Sequence, residues 1–441
     1  MRIGILGAGF SGTALALQLM ARRPAPEVLL FEPGPPGPGL AYGTREPEHL
    51  LNVPAAGMSL FPDRPGDFSE WLAARRPEIR TEDGPVFAPR ALYGAYLRQA
   101  LTAALDDPAG RLRHHSEAVA EVMPGEKGGF RLRGASGLEE RVDRLVLALG
   151  GFASGGGAPP HVHGNPWDPA ALEGLAPDAP VLLLGTGLTM ADMVLALRAR
   201  GHEGVVTAVS RHGWPPLSHV AGAFPSPWPV RLPAGAGVLE VMRLLRRDVR
   251  RAAAAGQPWQ AVIDGLRPQV QALWQGWDAG ERARFLRHAR SVWNLHRHRL
   301  APAVARRLAE EERRGRLRFE AARLEGWQVE GGEVVARLRR RGGEGVSRRA
   351  ARIILCTGPE GSHAWREAAP FPALLSQGLA RLDPLGAGLA VRPDGAVLEV
   401  SGQPVPGLFA MGPLTRGALW EITAVPEIRA QALALAGHLA S

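Results

Sequence analysis

The pattern of apolar and polar positions predicts that the chain begins with a strand, a tight turn and a helix. Residues 2–6 (RIGIL) form a short apolar run, and residues 27–31 (EVLLF) form a second one. Runs of this kind are typical of parallel strands that are buried on both faces. A glycine-rich turn and a stretch with helical character to about residue 23 lie between them. The segment therefore has the order of elements from which open α/β sheets are built.

The same order of strand, turn and helix recurs at residues 180–200. The pattern is helical from about 238 to 316, strand-like from 317 to 356, and it closes with a strand (LFAMG) and a final helix. We therefore predict an α/β protein with two dinucleotide-binding, Rossmann-like domains. The second domain is inserted into the first and carries a helical insertion at about 238–316.

Changes in composition indicate where the domains meet. A glycine-rich stretch covers residues 150–160, and apolar strands end in small residues at 148–150 and 356–358. Short glycine-rich stretches between periodic segments are typical of linkers. The predicted segments are 1–155 for the first part of the first nucleotide-binding domain, 156–350 for the inserted second domain, and 351–441 for the last part of the first domain.

The charge of the chain favours anionic small ligands as partners. Its formal net charge is +9, and all 52 basic residues except Lys127 are arginines. The arginines are spread along the chain, and we recognise no nucleic-acid-binding module among them. We therefore expect dinucleotide phosphates and a carboxylate substrate to account for part of the charge, with no nucleic-acid partner. A homo-oligomer remains open.

The single cysteine, Cys356, excludes several kinds of redox chemistry. One thiol cannot form an intramolecular disulfide, a redox-active dithiol or a cysteine-rich metal site. Because Cys356 ends an apolar strand, we expect it to be a buried packing residue rather than a nucleophile. His161 and His163 have no acids or cysteines clustered around them, so we predict no metal site.

The amino-terminal segment superficially resembles a signal peptide, with an early arginine and an apolar run. Cleavage there would remove the first strand and helix, including glycines in nucleotide-binding spacing. The run is also too short and interrupted to span a bilayer. We expect a cytoplasmic protein with no membrane partner.

The first motif, GAGFSG, directly follows a strand and precedes a helix. In this setting Gly7 permits the tight turn, Gly9 lets the backbone approach a diphosphate, and Gly12 allows close helix packing. The phosphates would meet the exposed amides at the start of the helix, where Ser11 also lies. Glu32 ends the next strand, where a carboxylate can accept hydrogen bonds from an adenosine ribose.

The second motif, GTGLTM, repeats this logic around Gly185, Gly187 and Thr189. Met190 stands where a small residue is usual, which would push the helix outward or narrow the diphosphate site. The following strand ends in Arg211 without an acidic residue. An arginine there suits a 2′-phosphate, so NADPH is favoured over NADH.

These motifs resemble the bacterial FAD/NAD(P)-binding oxidoreductase family, which is distantly akin to class B flavin monooxygenases and N-hydroxylating monooxygenases. The resemblance covers most of the chain through GAGFSG, GLAYGT, HLLNVPA, FAPRALYGAYL, LLGTGLTMADM, SRHGWPPLSH, WNLHRHRL and GPLTRGALWEITAVPEIRAQ. It implies that FAD is held by Gly7, Gly9, Gly12, Glu32 and the HLLNVPA loop, which contains Asn52, and NADPH by Gly185, Gly187, Thr189 and Arg211.

The carboxy-terminal motif implies a further part of the flavin site. Gly412 and Thr415 follow the last strand, and Pro426 opens the final helix. A helix amino terminus near a flavin would stabilise the negative charge of the reduced ring. Related flavoproteins usually end this strand in Gly-Asp, but Pro413 stands here, so that contact is missing or supplied otherwise. Trp420 either covers the flavin or simply packs against other side chains of the protein.

The resemblance implies an NADPH-dependent flavin monooxygenase that carries out N-hydroxylation or a related oxygenation of a small polar substrate, such as an amino acid. Asn52 and Trp420 are the candidate catalytic residues beside the flavin. The run from His296 to Arg299 either lines an anionic substrate site or, as we favour, forms a solvated helix face. Alternative functions are a flavin reductase or oxidase with another acceptor, and a non-catalytic redox sensor that uses residues 238–316 as its partner surface.

Overall fold

The computed structural model describes residues 1–79, 84–150, 161–358 and 364–440. The strands are β1 (Arg2–Leu6), β2 (Glu27–Phe31), β3 (Leu112–His115), β4 (Val119–Pro124), β5 (Phe130–Gly134), β6 (Glu139–Val142), β7 (Arg144–Leu147), β8 (Val162–His163), β9 (Val181–Leu184), β10 (Val206–Ser210), β11 (Leu317–Glu330), β12 (Glu333–Arg340), β13 (Gly345–Ala350), β14 (Arg352–Leu355), β15 (Ala396–Leu398) and β16 (Pro404–Ala410).

Helices occur throughout the described part of the chain, and a π-helical segment, Phe285–Ala289, joins two of them. The α-helices are α1 (Phe10–Met20), α2 (Gly39–Tyr42), α3 (Asp67–Arg75), α4 (Arg90–Leu105), α5 (Leu188–Ala199), α6 (Val238–Ala254), α7 (Trp259–Leu266), α8 (Val270–Gly276), α9 (Ala279–Arg284), α10 (Arg290–Arg297), α11 (Pro302–Arg313), α12 (Phe371–Ser376) and α13 (Val425–Ala440).

The first sheet joins the two ends of the chain. Its strand order is β15-β16-β7-β1-β2-β3, and all neighbours pair in parallel except β15 with β16. Ile3 and Ile5 of β1 face a core shared with α1 and α13, whereas Leu6 faces a core shared with the antiparallel β4-β5-β6 sheet. Both faces of β1 are covered, which explains its continuous apolar run.

The second sheet has the order β13-β12-β11-β10-β9-β14-β8. Strands β8, β14, β9, β10 and β11 are parallel, and β12 and β13 extend the sheet with antiparallel hairpins. α5 and α11 cover one face through a core that includes Leu183 and Met190. Met190 is fully buried in this core, so its side chain occupies the packed face of the helix.

The boundaries of the two domains follow these sheets. Strand β14 pairs with β9 and β8, so it belongs to the second sheet although it lies beyond the predicted boundary at 350/351. We now propose that this boundary lies after β14. The predicted boundary at 155/156 and most of the glycine-rich linker lie outside the described residues.

Helices α6, α7, α8 and α10 pack around their own core, which contains Trp274 and Trp293 and also includes Trp420 from the carboxy-terminal segment. The predicted helical insertion at 238–316 corresponds to α6 to α11, with α11 packing back onto α5 and β11. α6 contributes apolar residues from one side, including Val241 and Leu245, as expected for an amphipathic helix. Within the described residues, no helix combines the length and apolar character needed to cross a membrane.

Candidate functional site

The first glycine turn connects β1 to α1 at the carboxyl edge of the first sheet. Gly7 has a φ of +97°, and its amide donates to the Phe31 carbonyl oxygen at 2.9 Å. A Cβ on Gly12 would lie 1.9 Å from the Gly7 oxygen. Both glycines are therefore required by the polypeptide itself, one for its backbone conformation and one for the close approach of helix and turn.

Gly9 differs from its neighbours in the same turn. It caps α1 with a φ of −69°, which other residues adopt, and a Cβ there would meet only the Gly39 Cα atom, at 3.5 Å. The surrounding protein therefore leaves room for a side chain at Gly9. Space beside exposed amides at a helix amino terminus is what a diphosphate requires.

Glu32 lies at the end of β2, as the sequence predicts. Its Oε2 atom accepts a hydrogen bond from the Ala8 amide at 2.9 Å, and Oε1 accepts a longer one from the Gly34 amide at 3.4 Å. The carboxylate thus braces the glycine turn from the adjacent strand. A ribose bound at this edge would meet the oxygen that is held more loosely.

The second glycine turn has the same geometry between β9 and α5. Gly185 has a φ of +124°, its amide donates to the Val209 carbonyl oxygen at 2.8 Å, and a Cβ there would lie 2.3 Å from the Cys356 oxygen. Gly187 is the N-cap residue of α5, is exposed, and has no atom within 4 Å of an added Cβ. Thr189 follows in the first turn of the helix and is partly exposed.

Arg211 lies just beyond β10 and is exposed. Its guanidinium donates to the Ser291 hydroxyl at 3.2 Å. Burial, and then the cations Arg211, Arg341 and Arg323, lower the pKa of the neighbouring His212. Arg323, from β11, and Arg341, from the turn after β12, also lie near this edge. Three arginines therefore make the local electrostatic potential more positive, whereas the sequence indicated only Arg211.

The carboxy-terminal turn lies against the first glycine turn. Gly412 has a φ of +65°, and a Cβ there would lie 2.5 Å from the Ser11 Oγ atom. Thr415 is fully buried, and its hydroxyl donates to the Gly412 oxygen at 2.8 Å. Thr415 therefore stabilises the turn in this structure, and its predicted role in binding a cofactor stays a prediction. The Gly412 amide donates a hydrogen bond to the Gln431 Oε1 atom at 2.8 Å.

Three of the motifs meet in a junction between the two sheets. Arg90, at the start of α4, forms a buried ion pair with Asp192 of α5 at 2.8 Å. The Arg90 guanidinium also lies over the Trp167 ring at 5.5 Å, and that ring contacts the His49 imidazole edge-on at 5.4 Å. Burial raises the pKa of Asp192 to about 6, against the pull of Arg90. The pair therefore joins α4, which packs in the first half of the molecule, to α5, the helix that follows the second glycine turn.

Asn52 lies in the same junction, partly exposed. Its carbonyl oxygen is 2.9 Å from the His219 Nε2 atom, which reaches it from the second half of the molecule. Burial lowers the pKa of His219 to about 4, so the neutral ring is the donor. The observed contact uses the backbone of Asn52, and the predicted role of its side chain beside a flavin remains a prediction.

Acidification is expected to weaken this junction. Burial lowers the pKa of both His49 and His219 to about 4, from an ordinary 6.5. As the pH falls from about 6.5 to about 4, these histidines become protonated in the unfolded chain but stay neutral in the folded protein. The free energy of unfolding therefore falls. Each histidine contributes at most about 1.4 kcal/mol per pH unit. Asp192 acts in the opposite direction, because the folded protein protonates it first.

Denaturant unfolding at a series of pH values tests this expectation. His49→Gln and His219→Gln should each flatten the fall in unfolding free energy between about pH 6.5 and 4. The exposed His288→Gln is the matched control and should keep the wild-type slope. A slope that both junction variants leave unchanged would contradict the assignment.

The run from His296 to Arg299 is not the solvated helix face that we favoured from the sequence. Arg297 and Arg299 have exposed fractions of 6% and 3%. Arg297 pairs with Glu421 at 2.9 Å, and Arg299 pairs with Asp264. The physical reason for the difference is that α10 packs under the carboxy-terminal segment, which supplies a carboxylate to the buried cation.

Trp420 precedes this carboxylate and lies in the helical core. Its indole stacks on Trp274 with ring centroids 4.7 Å apart and meets Phe285 edge-on at 5.3 Å. Only 3% of Trp420 is exposed. The indole therefore packs in this structure, and the predicted role of Trp420 beside a flavin stays a prediction. Among the described residues, no three His, Cys, Asp or Glu side chains are grouped to hold a metal ion.

The comparisons with known proteins agree with this geometry. Residues 4–152 match the family described as FAD-NAD(P)-binding, which confirms the predicted resemblance and the prediction of these two cofactor classes. An L-aspartate N-monooxygenase (nitrosuccinate-forming) of Streptomyces cremeus is 31% identical over 252 residues. The alignment covers 46% of this chain and 38% of that protein, so the chain spans less than two fifths of the length of this curated relative.

Solved structures share the whole fold. L-lysine 6-monooxygenase from Pseudomonas syringae superposes with a TM-score of 0.68 at 17% identity, and ornithine N-hydroxylase from Kutzneria sp. 744 with a TM-score of 0.66 at 14% identity. Each comparison covers 99% of this chain and 98% of the other. Because the sequence identities are this low, the superpositions establish the fold alone. They confirm the predicted α/β class with two Rossmann-like domains.

Proposed function

We propose that the protein, whose residues 4–152 match the FAD-NAD(P)-binding family, is an FAD- and NADPH-dependent monooxygenase that hydroxylates the amino group of a small amino acid. The first glycine turn would hold FAD and the second NADPH. Aspartate is the first substrate to consider, because the curated relative that aligns with this chain is an L-aspartate N-monooxygenase.

The observation that carries the proposal is the pair of open glycines, Gly9 and Gly187. Each caps a helix after a parallel strand, has an ordinary φ, and faces space that an alanine would fill. Glycine at such positions stabilises nothing within the protein itself, since an alanine fits the same backbone. It is explained by the close approach of a ligand diphosphate to the backbone amides.

A bound flavin would supply the redox chemistry, in which two electrons from NADPH and one molecule of oxygen yield a hydroxylated amine and one molecule of water. The chain contributes binding and orientation. The amides that follow Gly9 and Gly187 would hold the two diphosphates, Glu32 would hold the adenosine ribose of FAD, and Arg211 would hold the 2′-phosphate of NADPH. The Arg90–Asp192 pair joins α4 to α5, the helix of the second turn.

The proposal is tested on the purified full chain reconstituted with FAD. NADPH added without oxygen should bleach the flavin absorbance. With oxygen, NADPH consumption should rise on addition of L-aspartate, L-ornithine or L-lysine, and an N-hydroxylated product should accumulate. Consumption that yields only hydrogen peroxide with every amino acid would identify a reductase or oxidase instead. A chain that binds FAD but is not bleached would fit a sensor.

Arg211→Ala tests the assignment of the second nucleotide. Removing this cation from the end of β10 should raise the KM for NADPH by about tenfold, equivalent to about 1.4 kcal/mol, and leave the KM for NADH unchanged. The reason is that the two nucleotides differ only by the 2′-phosphate. Rates of anaerobic flavin bleaching at varied nucleotide concentration give both constants.

Arg131→Ala is the matched control, because it removes an exposed arginine from β5, away from the second sheet. It should leave both constants unchanged. An equal effect of Arg211→Ala on NADPH and NADH would show that the arginine does not recognise the 2′-phosphate.

A further inference from the structure

The helical insertion encloses a cavity that neither glycine turn shares. Its volume is about 470 Å³, and α6, α7, α8 and α10 form most of its wall. Five tryptophans line it, namely Trp259, Trp274, Trp277, Trp293 and Trp420. Cavities of this size with aromatic walls hold small molecules in other proteins. The walls are too apolar to favour a zwitterionic amino acid, whose two charges would both lose water.

The polar groups of this cavity are basic. Arg246 and Arg250 lie one turn apart on α6, are exposed, and line the cavity together with His296. The described residues that line it include no carboxylate. An occupant therefore meets an apolar interior and a cationic edge. Positively charged groups at one end of an apolar pocket orient a ligand that carries a single negative charge.

We propose that this cavity is a binding site for an amphipathic anion, an apolar molecule with one terminal carboxylate such as a medium-chain fatty acid. Its chain would lie among the tryptophans, and its carboxylate would meet Arg246 and Arg250. This site is additional to the amino-acid site of the proposed function.

A second copy of the chain is a poorer occupant. A two-fold dimer would place the same face of α6 opposite itself. That helix carries Arg243, Arg246, Arg247, Arg250 and Arg251, so such an interface would bring like charges together. An anionic ligand would neutralise part of the positive charge on α6, whereas a second copy would bring more positive charge to the same place.

The ligand would also contact the carboxy-terminal segment. Trp420 forms part of the cavity wall, and Glu421 directly after it holds Arg297 and has a φ of +68°. That segment continues from the Gly412 turn, which lies against Ser11 in the first glycine turn. Because tryptophans line the cavity, binding of a ligand there should change the tryptophan fluorescence of the protein.

The experiment titrates the FAD-loaded full chain with dodecanoate, below the concentration at which it forms micelles, and follows tryptophan fluorescence. A saturable change is expected with dodecanoate, and a change at least tenfold weaker with dodecanol or butanoate, which lack the charge or the apolar chain. The double variant Arg246→Gln/Arg250→Gln should weaken dodecanoate binding about tenfold. Arg251→Gln, on the same helix but outside the cavity lining, should not.

Two variants fill the cavity, so that a folding failure of one leaves the other informative. Ile263→Phe and Val292→Trp should each abolish the titration while the bound flavin spectrum stays unchanged. Absence of a saturable change in the wild type, or unchanged binding in a folded cavity-filling variant, overturns the proposal. A concentration-dependent dimer that Val292→Trp dissociates would overturn it in favour of a second copy. None of these measurements requires NADPH or turnover, so they are independent of the monooxygenase test.

Discussion

Replacing Gly9 by alanine is expected to give a folded protein that has largely lost FAD. The φ of Gly9 suits alanine, and the nearest atom to an added Cβ is 3.5 Å away, so the polypeptide accommodates the methyl group. A diphosphate that packs against the backbone does not. Overpacking of one methyl group costs about 1–3 kcal/mol, which corresponds to an affinity for FAD that is about 5-fold to 150-fold weaker. Flavin fluorescence titration of the apoprotein measures it.

Gly187→Ala is the matched variant in the second turn. It should weaken NADPH binding by a similar factor and leave FAD affinity unchanged, because an added Cβ meets no protein atom within 4 Å. Each variant thus serves as the control for the other. The free energy of unfolding of each variant should lie within about 1 kcal/mol of the wild-type value, because a change of this kind at an N-cap position usually has an effect of that size.

Gly12→Ala should behave differently from both. Its Cβ would lie 1.9 Å from the Gly7 oxygen, so the turn and α1 must move apart and the fold itself should be destabilised. If Gly9→Ala and Gly187→Ala both bound their nucleotides with wild-type affinity, neither turn would be a diphosphate site and the proposed function would fail.

The second large effect is expected from Arg297→Ala. This cation is buried, and it faces Glu421 at 2.9 Å and Glu427 at 3.8 Å. Burial acts to raise the pKa of Glu421, but Arg297 and the surrounding groups outweigh it and hold that pKa below its ordinary value. Removal of one partner of a buried pair leaves the other charge uncompensated and costs about 3–5 kcal/mol. Denaturant unfolding measures the loss.

Arg349→Ala provides the comparison for this variant. Arg349 pairs with Glu330 at 2.9 Å on the exposed edge of the second sheet, so its loss should cost no more than about 1 kcal/mol. The double variant Arg297→Met/Glu421→Leu should recover most of the stability, since apolar residues can replace a buried pair. Equal losses for Arg297→Ala and Arg349→Ala would show that the buried pair is solvated.

The parts of the site that depend on local backbone geometry could be predicted from the sequence. Gly7 and Gly185 adopt positive φ values directly after buried strands, and Gly9 and Gly187 cap the helices that follow. The order of strand, glycine turn and helix leaves one local arrangement, because few other residues tolerate such turns. Glu32 was predicted for the same reason, since it follows its strand directly.

The junction between the sheets is a different case. His49, Arg90 and Asp192 each lie in a motif that carries the family resemblance, yet nothing in their spacing shows that they meet. The contact exists because α4 and α5 approach each other when the two sheets pack, so the ion pair of 2.8 Å joins residues about a hundred positions apart.

The sequence by itself therefore determined the two glycine turns, the α/β class and the helical nature of the insertion, because each follows from backbone conformation and periodic burial within a short segment. The tertiary structure decided which charges are buried, which sheet receives β14, and that five tryptophans surround one cavity. Long-range packing sets these features, and in one dimension a buried arginine such as Arg297 cannot be told from a solvated one until the carboxylate that compensates it is found.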